Sequence, residues 1–152
     1  MFMWEPFLPK EAGNDYRGYA IAKWVFLLLA AVGFVRSCIH LLAPDGGAGS
    51  IAGMDVSVAG GDGIIFAFSL WGSAQLLYAV IQLVVFFRYR TLIPFLYALM
   101  FVETLLRMLV GRMNPVEFAH TPPGAIGNYI MLPLVAVMLV LSLKRKSKRE
   151  QR

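Results

Sequence analysis

Four uninterrupted apolar runs, at about 19–42, 64–87, 92–110 and 125–143, take up more than half of a 152-residue chain. Each is close to the ~20 residues that cross the hydrocarbon of a bilayer as a helix. Inside lipid, every backbone N–H and C=O must find its partner within the segment or in a closed barrel, and runs this long and continuous select helices. The predicted fold is therefore all-α: a polytopic membrane protein built as a four-transmembrane-helix bundle, one domain over 1–152 with a basic tail at 144–152. Composition agrees. With 59% hydrophobic and 15% charged residues and a mean hydropathy of +0.66, the chain cannot cover a water-soluble domain of this size. The spans leave no room for a separate catalytic domain.

The positions of Lys and Arg set the expected orientation, because cytoplasmic flanks are enriched in them. Lys10, Arg17 and Lys23 lie before or at the start of the first span. Arg88 and Arg90 link the second and third, and Lys144, Arg145, Lys146, Lys148, Arg149 and Arg152 follow the fourth. Between these groups, the segment 43–63 has no basic residue and the segment 111–124 has only Arg112. Both termini are expected in the cytoplasm of a bacterial inner-membrane protein, with these two loops outside. The net charge of +5 thus reads as topology, and no nucleic-acid partner is expected; the basic tail suits anionic membrane lipids.

The first 17 residues mix Phe2, Trp4 and Phe7 with prolines and charges and lack a signal-peptide pattern, so they are expected at the headgroup level, with Asn14 or Asp15 capping the first helix. Cys38 stands alone and builds no disulfide framework. The first outer loop carries seven glycines and three aspartates, and reads as a flexible lid or a short hairpin around 54–59. Pro115, Pro122 and Pro123 punctuate the second.

Polar residues within the spans carry the functional information, since a charge at mid-membrane costs about 2.5–3.5 kcal/mol and needs a partner, a wet cavity or a role. The first span has Arg36 and His40, the third Glu103 and Arg107, the second Gln75 and Gln82, and the fourth Asn128. Both charged pairs are spaced i,i+4, on one helix face. With a rise of ~1.5 Å per residue, these groups from all four helices meet in the outer half. One carboxylate faces two arginines there, leaving an excess positive charge. Two readings follow: a structural ion-pair cluster, as in an assembly subunit, or an outward-facing pocket for an anionic or lipid-like molecule, lined by Arg36, Glu103, Arg107, Asn128, Gln75 and His40. The stripe Gly72, Gln75, Ala79, Gln82 on the second span suits tight helix packing.

Catalytic signals are weaker. Glu117-x-x-His120 precedes prolines and has no second copy, so no metal site is expected, and no cofactor fingerprint occurs. A membrane enzyme on a lipophilic substrate would have to use His40 or Glu103 for proton transfer. A homo-oligomer or a membrane-protein partner stays open.

The stretch LWGSAQLLYAVIQLVVFFRYRTLIPFLYALMFVETLLRMLVGR, with PPGAIGNYIMLPL after it, resembles small bacterial four-helix membrane proteins of the DoxX-like group. That resemblance implies an inner-membrane four-helix bundle and no particular reaction. The membrane enzymes of eicosanoid and glutathione metabolism are similar in length and helix count, but carry arginine, asparagine and glutamate on their second helix. The second apolar run here has no charge before Arg88, so glutathione transfer is not expected.

Overall fold

The computed structural model describes residues 4–144; the tail residues 145–152 lie outside the described part. Four helices follow in order, α1 (Ala20–Leu42), α2 (Gly61–Arg88), α3 (Ile93–Met113) and α4 (Pro123–Leu143), with a 3₁₀ turn at Arg90–Leu92 before α3. All four are long and apolar enough to cross a membrane, which makes the chain an integral membrane protein. Their outward side chains are apolar: Leu28, Leu77 and Ile130 are each more than half exposed, as lipid-facing residues are.

The elements run slightly beyond the apolar stretches, for local reasons. α2 starts three residues earlier than expected, after Gly60 at φ 88°, a left-handed turn that glycine adopts without strain. α4 starts at its prolines: Pro122 is the N-cap and Pro123 the first helical residue, where a missing N–H costs nothing. The expected cap of α1 is not formed. Tyr19 holds that position without a side-chain bond, while Asn14 donates to the Phe87 carbonyl (3.1 Å) and Asp15 pairs with Arg17.

α1 packs closely along α2, and α3 along α4; α1 and α4 join the two hairpins, whereas α2 and α3 touch little. The dry core sits at one end, here called the base. Phe26, Phe86, Ile93, Tyr97 and Val135 fill it. The Phe26 and Tyr97 rings meet edge to face, and the Tyr97 hydroxyl donates to the Ala22 carbonyl at 2.6 Å, so the one polar atom of this ring is satisfied. Residues 4–19 strap this end: Glu5 N–H donates to the Leu143 carbonyl, Tyr19 N–H to Leu141, and Gly13 exchanges hydrogen bonds with Thr91.

At the opposite end, α1 and α2 cross at Gly72, where a Cβ would lie 2.7 Å from His40 Cβ and 2.9 Å from the Leu41 backbone nitrogen. The first long loop folds back on this crossing as a series of turns; of the two expectations for it, a flexible lid or a short hairpin near 54–59, the hairpin is not formed. Gly46 and Gly47 have φ of 60° and 74°, and Gly47 lies against the His40 ring. Asp45 closes the turn by accepting from the Gly47 (2.8 Å) and Ser50 (2.6 Å) amides. The Ser50 bond, then the Gly47 bond, hold its carboxyl down at about 2. Because the folded value is depressed, this contribution is complete above the ordinary carboxylate range and is lost as pH falls through about 2. Asp45→Ala is expected to speed hydrogen exchange at the Gly47 and Ser50 amides by about fivefold, the loss of an ordinary hydrogen bond. Unchanged exchange would show that the turn holds without it.

Candidate functional site

Between the dry base and the loops, the four helices line a half-open cavity of about 330 Å³, within the usual range for small-molecule sites. All four helices line it, and five of the six candidate residues meet there: Arg36 from α1, Gln75 from α2, Glu103 and Arg107 from α3, and Asn128 from α4. Below them the walls are mostly apolar, formed by Leu29, Val32, Met100 and Met131, with Tyr78, Gln82 and Thr104 as their polar members.

A single chain of contacts links the polar groups. Arg107 Nη2 pairs with Glu103 Oε2 at 2.9 Å, one turn apart on α3. The Gln75 amide nitrogen donates to Glu103 Oε1 at 3.3 Å, and its oxygen accepts from Arg36 Nη2 at 3.4 Å. The glutamine thus faces its oxygen to one cation and its N–H to the anion. Arg36 receives no carboxylate. Its other contact is the face of Trp71, 5.1 Å from the guanidinium carbon, a cation–π pair worth about 0.5–2 kcal/mol. Two cations and one anion leave the cluster with one net positive charge.

Two polar atoms in the lining are shielded from solvent without a hydrogen bond: Arg107 Nε and the Tyr78 hydroxyl. Gln82, one turn along α2, is near Tyr78 but does not reach hydrogen-bonding geometry. An unmade bond at a buried donor costs about 1–3 kcal/mol, and both atoms lie beneath the cavity surface, out of reach of a water-sized group inside it.

His40 does not join the cavity. An interfacial histidine at the end of a span is expected to be solvated; here it is buried, its Nδ1–H donating to the Gly46 carbonyl at 2.8 Å and its ring 4.9 Å from that of Trp71. The folded loop and the Gly72 crossing bury it, neither of which shows in the spacing of the α1 residues. His120 lies instead in the second loop, near the Ile51 carbonyl (3.3 Å), and no group of three or more metal-ligating side chains occurs among the described residues. Pro133 and Tyr129 are exposed on α4 and do not line the cavity.

Several lining residues had no place in the sequence reading of the site. Tyr78 lies one turn from Gln75 on the same face of α2, and that i,i+3 relation was the available signal. The stripe read as packing divides: Gly72 packs on α1, whereas Gln75, Ala79 and Gln82 face the cavity. Gly33, Gly124 and Gly127 also line it, and a Cβ built on any of them meets nothing within 4 Å. Compared with known proteins, the chain matches no family model, no curated protein and no solved structure.

Proposed function

We propose that this is a binding protein of a bacterial inner membrane, with both termini cytoplasmic, whose outward-facing cavity holds an anionic or lipid-like small molecule. The observation that carries this reading is Arg36: a cation held inside the bundle by a 3.4 Å bond to a neutral amide and by an indole face, in a cavity whose only acidic side chain already pairs with Arg107. An anion there supplies the missing countercharge. The orientation is supported by Lys10, Arg17, Lys23, Arg88, Arg90 and Lys144, which the fold gathers at the base, away from the loops. In this placement the base also meets anionic lipid headgroups.

A purely structural cluster is less favoured. The Glu103–Arg107 pair lies within one helix, so it fixes no register between helices, and the bonds that do cross between helices are the two longest of the chain. Binding is favoured over chemistry because His40 is tied to the loop and Glu103 to a guanidinium, which leaves neither poised for proton transfer.

A charge series tests the reading. Gln75→Glu brings the cluster to zero and is expected to weaken binding of an anionic amphiphile such as decanoate by tenfold or more. Glu103→Gln raises the cluster to +2 and is expected to strengthen it. Affinities that ignore this order, in variants that keep the wild-type helical signal, would contradict an electrostatic site.

A further inference from the structure

We infer that the ligand is a single-chain monoanionic amphiphile: an oxyanion head, such as a carboxylate, on a chain of about eight carbons. This rests on the anion-binding reading above and narrows it. The head follows from the cluster. One net positive charge is balanced by one negative charge, whereas a dianion would restore an uncompensated charge of the opposite sign in a low-dielectric site. The Arg36 guanidinium lines the cavity and is under-bonded, its side-chain acceptor being the Gln75 amide oxygen at 3.4 Å. A guanidinium fork is best met by a planar head with two acceptor oxygens, which a carboxylate offers and a halide does not.

The chain follows from the walls. Away from the cluster the cavity is lined mainly by Leu29, Val32, Met100 and Met131, with Gln82 and Thr104 among them; Gly33, one turn below Arg36, and Gly127, beside Asn128, leave open space along the backbones of α1 and α4. An apolar chain meets mostly apolar walls there. The size follows from the volume: at roughly 30 Å³ per small heavy group, about 330 Å³ takes a three-atom carboxylate and about eight carbons. Two long acyl chains would extend beyond it.

The test is the affinity of the full-length wild-type protein for straight-chain carboxylates from acetate to dodecanoate, referred to free aqueous concentration. Affinity is expected to rise about fourfold per methylene from hexanoate and to flatten near decanoate. Decanol, with the chain and no charge, is expected to bind at least tenfold more weakly than decanoate. Gly127→Leu or Gly33→Leu fills the chain space and is expected to cost decanoate tenfold or more; the wild-type series decides the matter if neither variant folds. Acetate or inorganic phosphate binding as tightly as decanoate would overturn the amphiphile and leave the anion site standing. So would displacement of decanoate by a diacyl phosphatidylglycerol, which would identify a two-chain headgroup instead. Decanol binding equal to decanoate, or no binding by any anion, would overturn both this inference and the reading it rests on.

Discussion

Replacing Arg36 by glutamine is expected to weaken binding of an anionic amphiphile by about 10- to 150-fold, the worth of one charge-assisted hydrogen bond of roughly 1.5–3 kcal/mol, and to leave the bundle folded. The two halves of this expectation have different origins. Affinity falls because the cation without a carboxylate is removed. Stability is expected to hold because the loss is offset: the variant forfeits about 0.5–2 kcal/mol of cation–π contact with Trp71, but is relieved of the cost of a charge within a span, about 2.5–3.5 kcal/mol at mid-membrane and less toward its ends. Glutamine also keeps a polar group for Gln75. Arg107 is a poorer target, since its removal strands Glu103 as an unpaired carboxylate and mixes a folding defect with a binding defect. Titration with decanoate beside thermal unfolding in the same detergent separates the two effects. An affinity within threefold of wild type would place the binding determinant elsewhere.

Between the membrane helices, a large effect on stability is expected at Gly72. A side chain there meets His40 Cβ at 2.7 Å and the α1 backbone at 2.9 Å, and backbone cannot rotate away as a side chain can. Gly72→Leu must therefore push α1 from α2 along their closest crossing, at about 3 kcal/mol, the upper end for overpacking. The displacement also disturbs the His40 bond to Gly46, so the loop above is expected to loosen with it. Gly33→Ala is the control: it is also helical, but its Cβ meets nothing within 4 Å, and the loss of glycine backbone entropy favours the variant slightly. Equal stability of the two variants under denaturant would show that the crossing is looser than the structure has it.

What the sequence shows of this molecule follows the physics that acts along one helix. Span length and the cost of unpaired backbone groups reveal the four helices. The spacing of Arg36, Glu103, Arg107, Asn128 and Gln75, measured along each span, brings them to one layer, and the structure gathers them in one cavity. Charge arithmetic already leaves one arginine over; the geometry shows it to be Arg36, because Glu103 lies a single turn from Arg107 on the same helix. What depends on contact between distant segments was not legible. His40 sits at the right depth for the cavity but is claimed by Gly46, a residue whose left-handed turn no helical spacing describes. Nothing in the spacing of Gly33 and Gly127 along their helices points to the open space beside them. Asn14 and Asp15 have the chemistry of helix caps, yet the strap across the base puts them to other uses.

The central claim, that the unpaired charge of Arg36 holds an anion inside the bundle, is tested most directly by native mass spectrometry of gently purified wild-type protein and of Arg36→Gln prepared in parallel. A stoichiometric anionic adduct on the wild type, absent or strongly reduced on the variant, is the expected result. A bare wild-type protein that also takes up no added decanoate, or an adduct retained equally by the variant, would contradict it.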